Sequence, residues 1–414
     1  MSELRTVRGT RDFLPEDSRS FRLVEERTQA VASRWGYGEV ATPIFEFTEI
    51  FARTLGDTSD VVTKEMYTFA DRGGDSLTLR PENTAGIVRA FISNSLSASL
   101  PLRVFYRGPM FRYERPQKGR MRQFHQVGVE LLGVADPLGD VEVIGLAHDV
   151  LIALGLQGKI ALELNTLGDA EDRALYRSRL VDYLEQHRDR LSADSIARLD
   201  RNPLRILDSK DPGDREVVVG APTLADALGA KSTAFFARVR SGLDDLGIPY
   251  RLNPRLVRGL DYYCHTTFEF VTDMLGAQGT VLAGGRYDGL VEQMGGPSTP
   301  GIGWAAGVER LMMLIDGKAT GQRPIVMIAF GDAQAGEALR LAQRLRTAGH
   351  TVAFAFGTSL GKQLKWANKI NARLAIIVGA DELTRQVATV RDMDAGAQEE
   401  VSLTLLEERL ARTG

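Results

Sequence analysis

The pattern of predicted helices and strands changes once along this 414-residue chain, at a segment rich in glycine and polar residues, 317–323. After this segment, short apolar strands at 325–330, 351–356 and 374–379 alternate with helical stretches. Strict alternation of this kind predicts a small α/β domain with a mostly parallel sheet. Before the segment, hairpins and helices are interleaved, which predicts an α+β domain with a mostly antiparallel sheet.

Chain length supports two or three domains, because a single hydrophobic core rarely exceeds roughly 250–300 residues. We place the first domain at 1–318 and the second at 324–414. Charged residues and prolines cluster around short helical pieces near 192–231. We therefore predict a largely helical insertion in the first domain, at about 170–240.

Composition excludes several classes of protein. With 51 Lys and Arg against 54 Asp and Glu, the net charge of −3 excludes a uniformly basic nucleic-acid binder. Cys264 is the single cysteine, which excludes an internal disulfide and a cysteine-based zinc site. No secretory signal is visible at 1–17, and no apolar run approaches the roughly 20 residues that span a bilayer. We expect a soluble, cytoplasmic protein.

The strongest chemical signal is a concentration of positive charge between 103 and 122, where Glu114 is the single acidic residue. A solvated surface usually mixes both signs of charge, so this asymmetry favours an anionic partner. Arginine side chains match phosphate oxygens with two parallel hydrogen bonds, which makes phosphate the expected partner. The basic residues of the stretch are Arg103, Arg107, Arg112, Arg115, Lys118, Arg120 and Arg122.

Two other motifs combine charged side chains with glycine. The stretch 258–263 reads RGLDYY, and its arginine favours ligand contact, although tyrosine pairs also pack in ordinary cores. The glycines of 283–289, AGGRYDG, allow close approach of a ligand, although tight turns explain each glycine equally well. Neither a zinc-hydrolase spacing of histidines nor a nucleophile elbow is present. The combination indicates phosphoryl or nucleotidyl chemistry that proceeds by positioning and charge neutralisation.

Taken together, the motifs resemble those of the histidyl-tRNA synthetase family in its bacterial type. This family belongs to the class II aminoacyl-tRNA synthetases. The resemblance extends over the whole chain, and motif 1, around Pro43, would lie at a homodimer interface. The matching stretches are 8–12 (RGTRD), 78–82 (TLRPE), motif 2 at 108–126, the histidine signatures at 256–263 and 283–290, and the end of motif 3 at 307–311.

The resemblance implies a fold and a reaction. The fold would be a class II catalytic domain with a helical insertion that touches tRNA, followed by an α/β anticodon-binding domain. The reaction would be ATP-dependent ligation of L-histidine to histidine tRNA, with a histidyl-adenylate as intermediate. Mg²⁺ would accompany ATP as part of the substrate, and no protein-bound metal is predicted.

The resemblance also implies roles for individual residues. Arg112 would grip the α-phosphate and Arg310 the γ-phosphate, while Arg258 would neutralise charge that develops at the α-phosphate. Glu130, with Tyr263, would hold the imidazole of histidine. The full predicted histidine-binding set is Glu82, Asn83, Thr84, Arg112, Gln126, Glu130, Arg258, Tyr262, Tyr263 and Tyr287. The predicted tRNA contacts in the motif 2 loop are Arg115, Gln117, Lys118 and Arg120.

The sequence departs from the family pattern at two places, and two alternative functions are considered. Asn83 stands where many relatives have glycine, and Cys264 and His265 replace a common Asn-Arg pair. A catalytically silent paralogue that regulates the first enzyme of histidine biosynthesis would share the fold, although such paralogues tend to lose the Arg258 segment and the anticodon domain. An enzyme that adenylates a free metabolite would not need the domain after Pro324.

Overall fold

The chain divides into two units, Met1–Lys318 and Ala319–Gly414, each built around its own β-sheet. The structure is a computed structural model. It describes residues 4–55, 61–116, 119–199, 202–257, 262–276, 279–315, 321–330, 332–357 and 359–411.

Strands and helices alternate irregularly in the first unit. Its strands are β1 (Gly38–Glu39), β2 (Phe45–Phe47), β3 (Tyr67–Ala70), β4 (Ser76–Leu79), β5 (Leu102–Phe111), β6 (Gln123–Leu132), β7 (Ala161–Thr166), β8 (Tyr250–Leu252), β9 (Cys264–Val271), β10 (Thr280–Arg286) and β11 (Gly301–Gly307). Its helices are α1 (Pro15–Arg34), α2 (Thr48–Leu55), α3 (Thr84–Ser93), α4 (Leu138–Ala153), α5 (Ala170–Glu185), α6 (Ala193–Leu199), α7 (Pro212–Val219), α8 (Ala230–Asp245), α9 (Leu290–Gln293) and α10 (Val308–Met312).

The main sheet of this unit has eight strands in the order β1-β5-β6-β11-β10-β9-β7-β8. All neighbours from β5 to β7 are antiparallel, and only the edge strands β1 and β8 pair in parallel among the described residues. The prediction of a mostly antiparallel sheet in an α+β domain is therefore confirmed. Helices α1, α4 and α8 contribute to the hydrophobic core on one face of the sheet.

A second, three-stranded sheet has the order β2-β4-β3, with both pairings antiparallel. The aromatic side chains of Phe45, Phe47 and Phe69 on its outer strands are about half exposed. The segment after β4 leads directly into α3, whose first turn is buried. The position of this turn matters below, because it faces the main sheet.

Helices α5 to α8 lie between β7 and β8. Residues of α5, α6 and α7, among them Tyr176, Leu180 and Val217, contribute to a second hydrophobic core, which also includes residues of α2 and α3. Asp214 is fully buried there and accepts hydrogen bonds from the hydroxyl groups of Ser192, Ser195 and Ser209. Helical structure was expected for this part of the chain.

The strands of the second unit are β12 (Ile325–Ala329), β13 (Val352–Phe354), β14 (Leu374–Val378), β15 (Val387–Asp392) and β16 (Gln398–Ser402), and its helices are α11 (Asp332–Thr347), α12 (Leu360–Lys369), α13 (Ala380–Thr384) and α14 (Leu406–Ala411). The strands form one sheet with the order β13-β12-β14-β15-β16. Strands β12, β13 and β14 are parallel, as predicted, whereas β15 and β16 add an antiparallel hairpin that was not predicted. Within the described residues, every helix is too short or too polar to cross a lipid bilayer.

Candidate active site

Alternate side chains of strand β6 point to the two faces of the main sheet, one of which packs in the hydrophobic core. Val127, Val129 and Leu131 are fully buried in the core beneath the helices. Because neighbouring side chains of a strand point to opposite faces, Gln126 and Glu130 emerge on the other side of the sheet. The same face receives the first turn of α3 and the segment that follows β10.

Two adjoining cavities lie on this face. The smaller one, here called the inner cavity, has a volume of ≈ 150 Å³ and contains Glu82, Thr84, Glu130 and Tyr287 among its lining residues. The larger one, the outer cavity, has a volume of ≈ 290 Å³ and includes Arg310 in its lining. Arg112, Gln126, Ala283 and Ala305 line both cavities, so the two spaces meet at these side chains.

Glu130 is the central polar group of the inner cavity and is 1% exposed. Its carboxyl oxygens accept hydrogen bonds from the Thr84 hydroxyl at 2.7 Å and the Tyr287 hydroxyl at 2.5 Å. Burial raises the pKa of this carboxyl to about 8, against the lowering effect of the two hydroxyl donors. A carboxyl with this pKa is largely protonated at neutral pH, and an incoming N–H donor or cation would favour its ionised form.

Glycine makes the space that Glu130 occupies. A Cβ atom at Gly303 would lie 1.7 Å from Glu130 Oε2, and one at Gly128 would lie 2.4 Å from the ring of Tyr106. Neither position can carry a side chain without moving the group that lines the cavity. Tyr106 is 1% exposed and lines the inner cavity, although the sequence analysis did not include it.

Glu82 and Asn83 have different environments although they are adjacent. The Glu82 carboxylate lines the inner cavity and accepts the backbone N–H groups of Thr84 at 2.7 Å and Ala85 at 2.9 Å, so it caps α3. Burial raises its pKa, and the two N–H donors oppose that effect. Asn83 is not among the lining residues, because its side-chain oxygen faces Thr42 and Arg80.

Three tyrosines form the remaining wall of the inner cavity. The Tyr262 ring lies 4.6 Å from the Tyr263 ring and 5.8 Å from the Tyr287 ring, measured between centroids. All three are at most 8% exposed. Burial raises the pKa of the Tyr262 and Tyr287 hydroxyls well above the usual value, so both remain hydrogen-bond donors at neutral pH.

At the junction of the cavities, a positive charge lies beside an unsatisfied oxygen. Arg112 is held by a hydrogen bond from its Nε to the Pro81 carbonyl at 2.9 Å, and its guanidinium lies 5.4 Å from the centre of the Phe124 ring. The side-chain oxygen of Gln126 is buried and has no hydrogen-bond partner among the described residues. A buried polar atom of this kind is costly unless a ligand satisfies it.

Three arginines, Arg112, Arg120 and Arg310, line the outer cavity together with three glutamates, Glu114, Glu269 and Glu309. Arg120 lines it beside Arg310, and its guanidinium is 3.0 Å from the Glu114 carboxylate. Burial, followed by the repulsion of the nearby Arg120 charge, lowers the pKa of Arg310. Because the like charges of Arg120 and Arg310 repel each other, an anion bound between them would relieve the repulsion.

A contact between Glu309 and His125, which the sequence motifs did not predict, connects the helix that contains Arg310 to β6. The Glu309 carboxylate accepts the backbone N–H of His125 at 3.0 Å, and it lies 2.9 Å from Nδ1 of the same residue. The His125 ring packs edge-on against Phe13 and Phe21. This contact attaches α10 to β6, and Arg310 of the same helix lines the outer cavity.

Besides Asn83, four predicted site residues are not found in the described cavity linings, three of them because they lie outside the described residues. Arg258, Gln117 and Lys118 fall outside the described residues. Arg115 is exposed and lines neither cavity, whereas Arg120, predicted to contact tRNA, lines the outer cavity. The structure thus brings together Glu82, Thr84, Arg112, Gln126, Glu130, Tyr262, Tyr263 and Tyr287 around the inner cavity, and Arg112 and Arg310 around the outer one.

Comparison with known proteins gives a consistent family. Residues 9–311 match the family described as Histidyl-tRNA synthetase, and residues 324–413 match the one described as Anticodon binding domain. A histidine–tRNA ligase of Rhodospirillum rubrum is 62% identical over 413 residues, covering 100% of both chains. One of Gluconacetobacter diazotrophicus is 55% identical over 411 residues, covering 99% of both.

A solved structure agrees with these sequence matches. The apo histidyl-tRNA synthetase of S. aureus has a TM-score of 0.82 and 35% identity, with 98% of this chain and 99% of that chain covered. The match confirms the predicted class II synthetase fold with its C-terminal anticodon-binding domain. The chain therefore belongs to the histidyl-tRNA synthetase family.

Proposed function

We propose that this chain ligates L-histidine to histidine tRNA in the cytoplasm, and that the two cavities bind histidine and ATP for the first step. In that step a carboxylate oxygen of histidine attacks the α-phosphorus, and the bond from this phosphorus to the bridging oxygen breaks to release pyrophosphate. In the second step a ribose hydroxyl of the tRNA attacks the adenylate carbonyl, and AMP leaves. The observation that carries the proposal is the buried Glu130 carboxyl beside a junction that presents Arg112.

Histidine fits the inner cavity by its polar groups. Glu130 would accept an imidazole N–H, with Tyr263 as the second contact to the ring, and Tyr262 and Tyr287 would enclose it. Glu82 and Thr84 would receive the amino group. The substrate carboxylate would then point to the junction of the cavities, where Arg112 supplies positive charge and the side-chain N–H₂ group of Gln126 would donate a hydrogen bond.

ATP would bind in the outer cavity through the arginine side chains of that cavity. Arg112 would bind the α-phosphate at the junction, and Arg310 would bind the γ-phosphate, with Arg120 close by. We retain Arg258 as the third proposed catalytic arginine. Mg²⁺ would enter with ATP as part of the substrate, and we assign no protein ligand to it. Preorganised cations at a phosphate undergoing substitution stabilise the charge that develops in the transition state.

Recognition through a buried polar group also explains selectivity. A wrong amino acid without an imidazole N–H would leave Glu130 without its ligand contact in a closed, buried site. Sites built to hydrogen-bond their substrate reject analogues that lack the group by roughly 10⁴–10⁵-fold without a second hydrolytic site. We therefore propose that the chain discriminates histidine at the activation step alone.

The two domains would contact different parts of the tRNA. We propose that residues 1–318 form the catalytic domain, that the insertion at about 170–240 contacts tRNA, and that 324–414 binds the anticodon. The match to an anticodon-binding domain over 324–413 supports this division. Arg115, Gln117 and Lys118 of the motif 2 loop remain proposed tRNA contacts.

A homodimer would cover an exposed apolar surface next to motif 1. Ile44, Phe45, Phe47 and Phe69 are between 42% and 51% exposed and lie in or beside the three-stranded sheet. Exposed aromatic groups that cluster in one place mark an interface more often than a free surface. We propose that a second copy of this chain buries them.

The second unit offers a surface suited to unpaired RNA bases. Phe356 is 87% exposed, Phe330 is 54% exposed, and both follow neighbouring parallel strands. Lys362 and Lys365 are exposed on the helix that begins four residues after Phe356. Aromatic rings that stack on bases, together with cations near the backbone, are the usual equipment for binding single-stranded nucleic acid.

Phe356→Ala is expected to weaken charging of tRNA without affecting histidine activation. Loss of one stacking contact is worth about 1–3 kcal/mol, so kcat/KM for tRNA should fall roughly tenfold or more. Pyrophosphate exchange, which needs no tRNA, should keep its rate. The matched control is Leu339→Ala, which removes a 53% exposed apolar side chain from α11. Equal charging by the Phe356 and Leu339 variants would argue against this RNA surface.

Histidine-dependent pyrophosphate exchange tests the proposed function at its first step. The purified chain should incorporate labelled pyrophosphate into ATP when L-histidine is present, and it should not do so with other amino acids. Exchange that needs no histidine, or an absence of exchange in a folded and histidine-binding protein, would contradict the proposal. The second outcome would favour a regulatory paralogue.

A further inference from the structure

Arg80 is a buried arginine that neither cavity uses. It follows β4, precedes Pro81, and is 4% exposed. Its Nε donates to the Pro109 carbonyl at 2.9 Å, and its Nη1 donates to the Thr42 carbonyl at 3.0 Å. The same Nη1 lies 3.1 Å from both the Thr42 hydroxyl and the Asn83 side-chain oxygen. One guanidinium therefore joins three segments that are distant in sequence.

The backbone of Arg80 joins the same regions. Its N–H donates to the Ile44 carbonyl at 2.9 Å, and its carbonyl accepts the N–H of Phe111 at 3.0 Å. Gly108 leaves room for the guanidinium, since a Cβ atom there would lie 2.3 Å from Arg80 Nη2. With its φ of +152°, Gly108 also adopts a backbone conformation that other residues rarely take.

The three segments carry or adjoin groups of the candidate active site. The loop after Arg80 contains Pro81, whose carbonyl holds Arg112, and Glu82, which lines the inner cavity. Thr84 at the end of this loop donates to Glu130. Strand β5, which contains Pro109, runs directly up to Arg112. Movement of the loop relative to β5 would consequently displace the groups proposed to receive histidine.

Asn83 gives this network an acceptor that glycine would not provide. Its side-chain oxygen accepts a hydrogen bond from the Thr42 hydroxyl at 2.6 Å as well as the one from Arg80. The residue is 1% exposed, so water does not replace these contacts. The asparagine at this position therefore adds a contact to Arg80, and it does not line the inner cavity.

We propose that Arg80 is a positioning residue for histidine binding, which fixes the 81–84 loop against β5 through Thr42, Asn83 and Pro109. The inference rests on the proposed function, because it assigns the loop to the histidine subsite. An arginine fork satisfies several acceptors at fixed angles, whereas a lysine ammonium carries the same charge without that geometry. The role therefore requires the guanidinium shape in addition to its charge.

Arg80→Lys tests the role, with pyrophosphate exchange and thermal unfolding as readouts. We expect KM for histidine to rise at least about tenfold, while KM for ATP changes by less than about threefold, because a tenfold change corresponds to the ~1.4 kcal/mol of one or two lost hydrogen bonds. Asn83→Gly and Thr42→Val each remove part of the network and should raise KM for histidine by a smaller factor. They also keep the test valid if the lysine variant fails to fold.

The matched control is Arg89→Lys, since Arg89 of α3 bonds to Glu46 outside both cavities. Its kinetic constants and its sedimentation should match those of the wild type. An unchanged KM for histidine in the Arg80, Asn83 and Thr42 variants would overturn the role of Arg80. Equal rises in both KM values would indicate general loss of structure and would also overturn it. Absence of exchange in the wild type would instead contradict the proposed function.

Discussion

Replacing Glu130 with alanine is expected to abolish histidine-dependent pyrophosphate exchange, with kcat/KM for histidine falling by roughly 10⁴-fold. The substitution removes the acceptor proposed for the imidazole N–H, and it leaves the hydroxyls of Thr84 and Tyr287 without their buried partner. Exchange measured across a range of histidine concentrations separates the loss of binding from a slower reaction. Glu142→Ala, which removes a carboxylate bonded to Tyr37 and Arg103, should retain wild-type exchange.

Wild-type exchange by the Glu130 variant would remove this residue from the site. Loss of exchange in the Glu142 control as well would show that the assay reports on folding.

Glu130→Gln is expected to stabilise the ligand-free protein, and increasingly so as the pH rises. The folded-state pKa of about 8 lies above the ordinary value of 4.5, so the stability that the protonated carboxyl provides is complete below pH 4.5 and is lost as pH rises towards 8. The variant's advantage in unfolding free energy should thus grow by roughly 1.4 kcal/mol per pH unit across this window and then level off. Denaturant unfolding of both proteins at several pH values measures it. A difference that does not change with pH would contradict the burial of an uncharged carboxyl.

Replacing Arg112 with alanine should have the second-largest effect and should lower kcat for pyrophosphate exchange by roughly 10²–10³-fold. Arg112 lines both cavities, and its charge lies where the histidine carboxylate and the α-phosphate are proposed to meet. Two anionic groups repel each other during this attack, so loss of the cation raises the barrier in addition to weakening binding. We expect both KM values to change less than kcat.

The matched control for Arg112 is Arg107→Ala in the same basic stretch. Arg107 pairs with Glu39 and Glu25 and lines neither cavity. It should keep its exchange rate within about twofold, as expected for a partly exposed ion pair. Exchange by the Arg112 variant within about tenfold of the wild type would contradict its proposed place at the reacting phosphate.

The spacing of apolar and polar residues along the sequence was sufficient to predict much of the fold. Strand β6 covers Gln123–Leu132, where apolar residues alternate at Val127, Val129 and Leu131. The same alternation separates Val129 from Glu130, so a polar group on the open face could be anticipated. The hairpin β15–β16 was missed because its strands are polar on one side and lack the apolar runs of β12 and β14.

Contacts between distant residues could not be predicted from pattern. Glu130 meets Thr84 and Tyr287, which are 46 and 157 positions away, and only the sheet order brings them together. Tyr106 lies in an apolar strand and resembles a core residue, so nothing local marked it as part of the cavity. Gly303 was one of several glycines in the sequence. The need for glycine becomes clear only from the Glu130 carboxyl group, which occupies the space that a side chain at position 303 would take.

Adjacent residues can also differ in what they contact. Glu82 and Asn83 follow one another, and the family resemblance placed both at the histidine substrate. The turn into α3 directs the first towards the inner cavity and the second towards Arg80. Sequence proximity is thus a poor guide to contact at the start of a helix, where the backbone changes direction at each residue.

The central claim is that the chain transfers histidine to tRNA through an adenylate, and charging of histidine tRNA tests it most directly. The purified protein is incubated with ATP, labelled L-histidine and histidine tRNA, and the label that becomes attached to RNA is counted. We predict attachment that requires both ATP and histidine tRNA and that fails with a tRNA for another amino acid. Adenylate formation without transfer to RNA, or charging that proceeds equally on an unrelated tRNA, would contradict the claim.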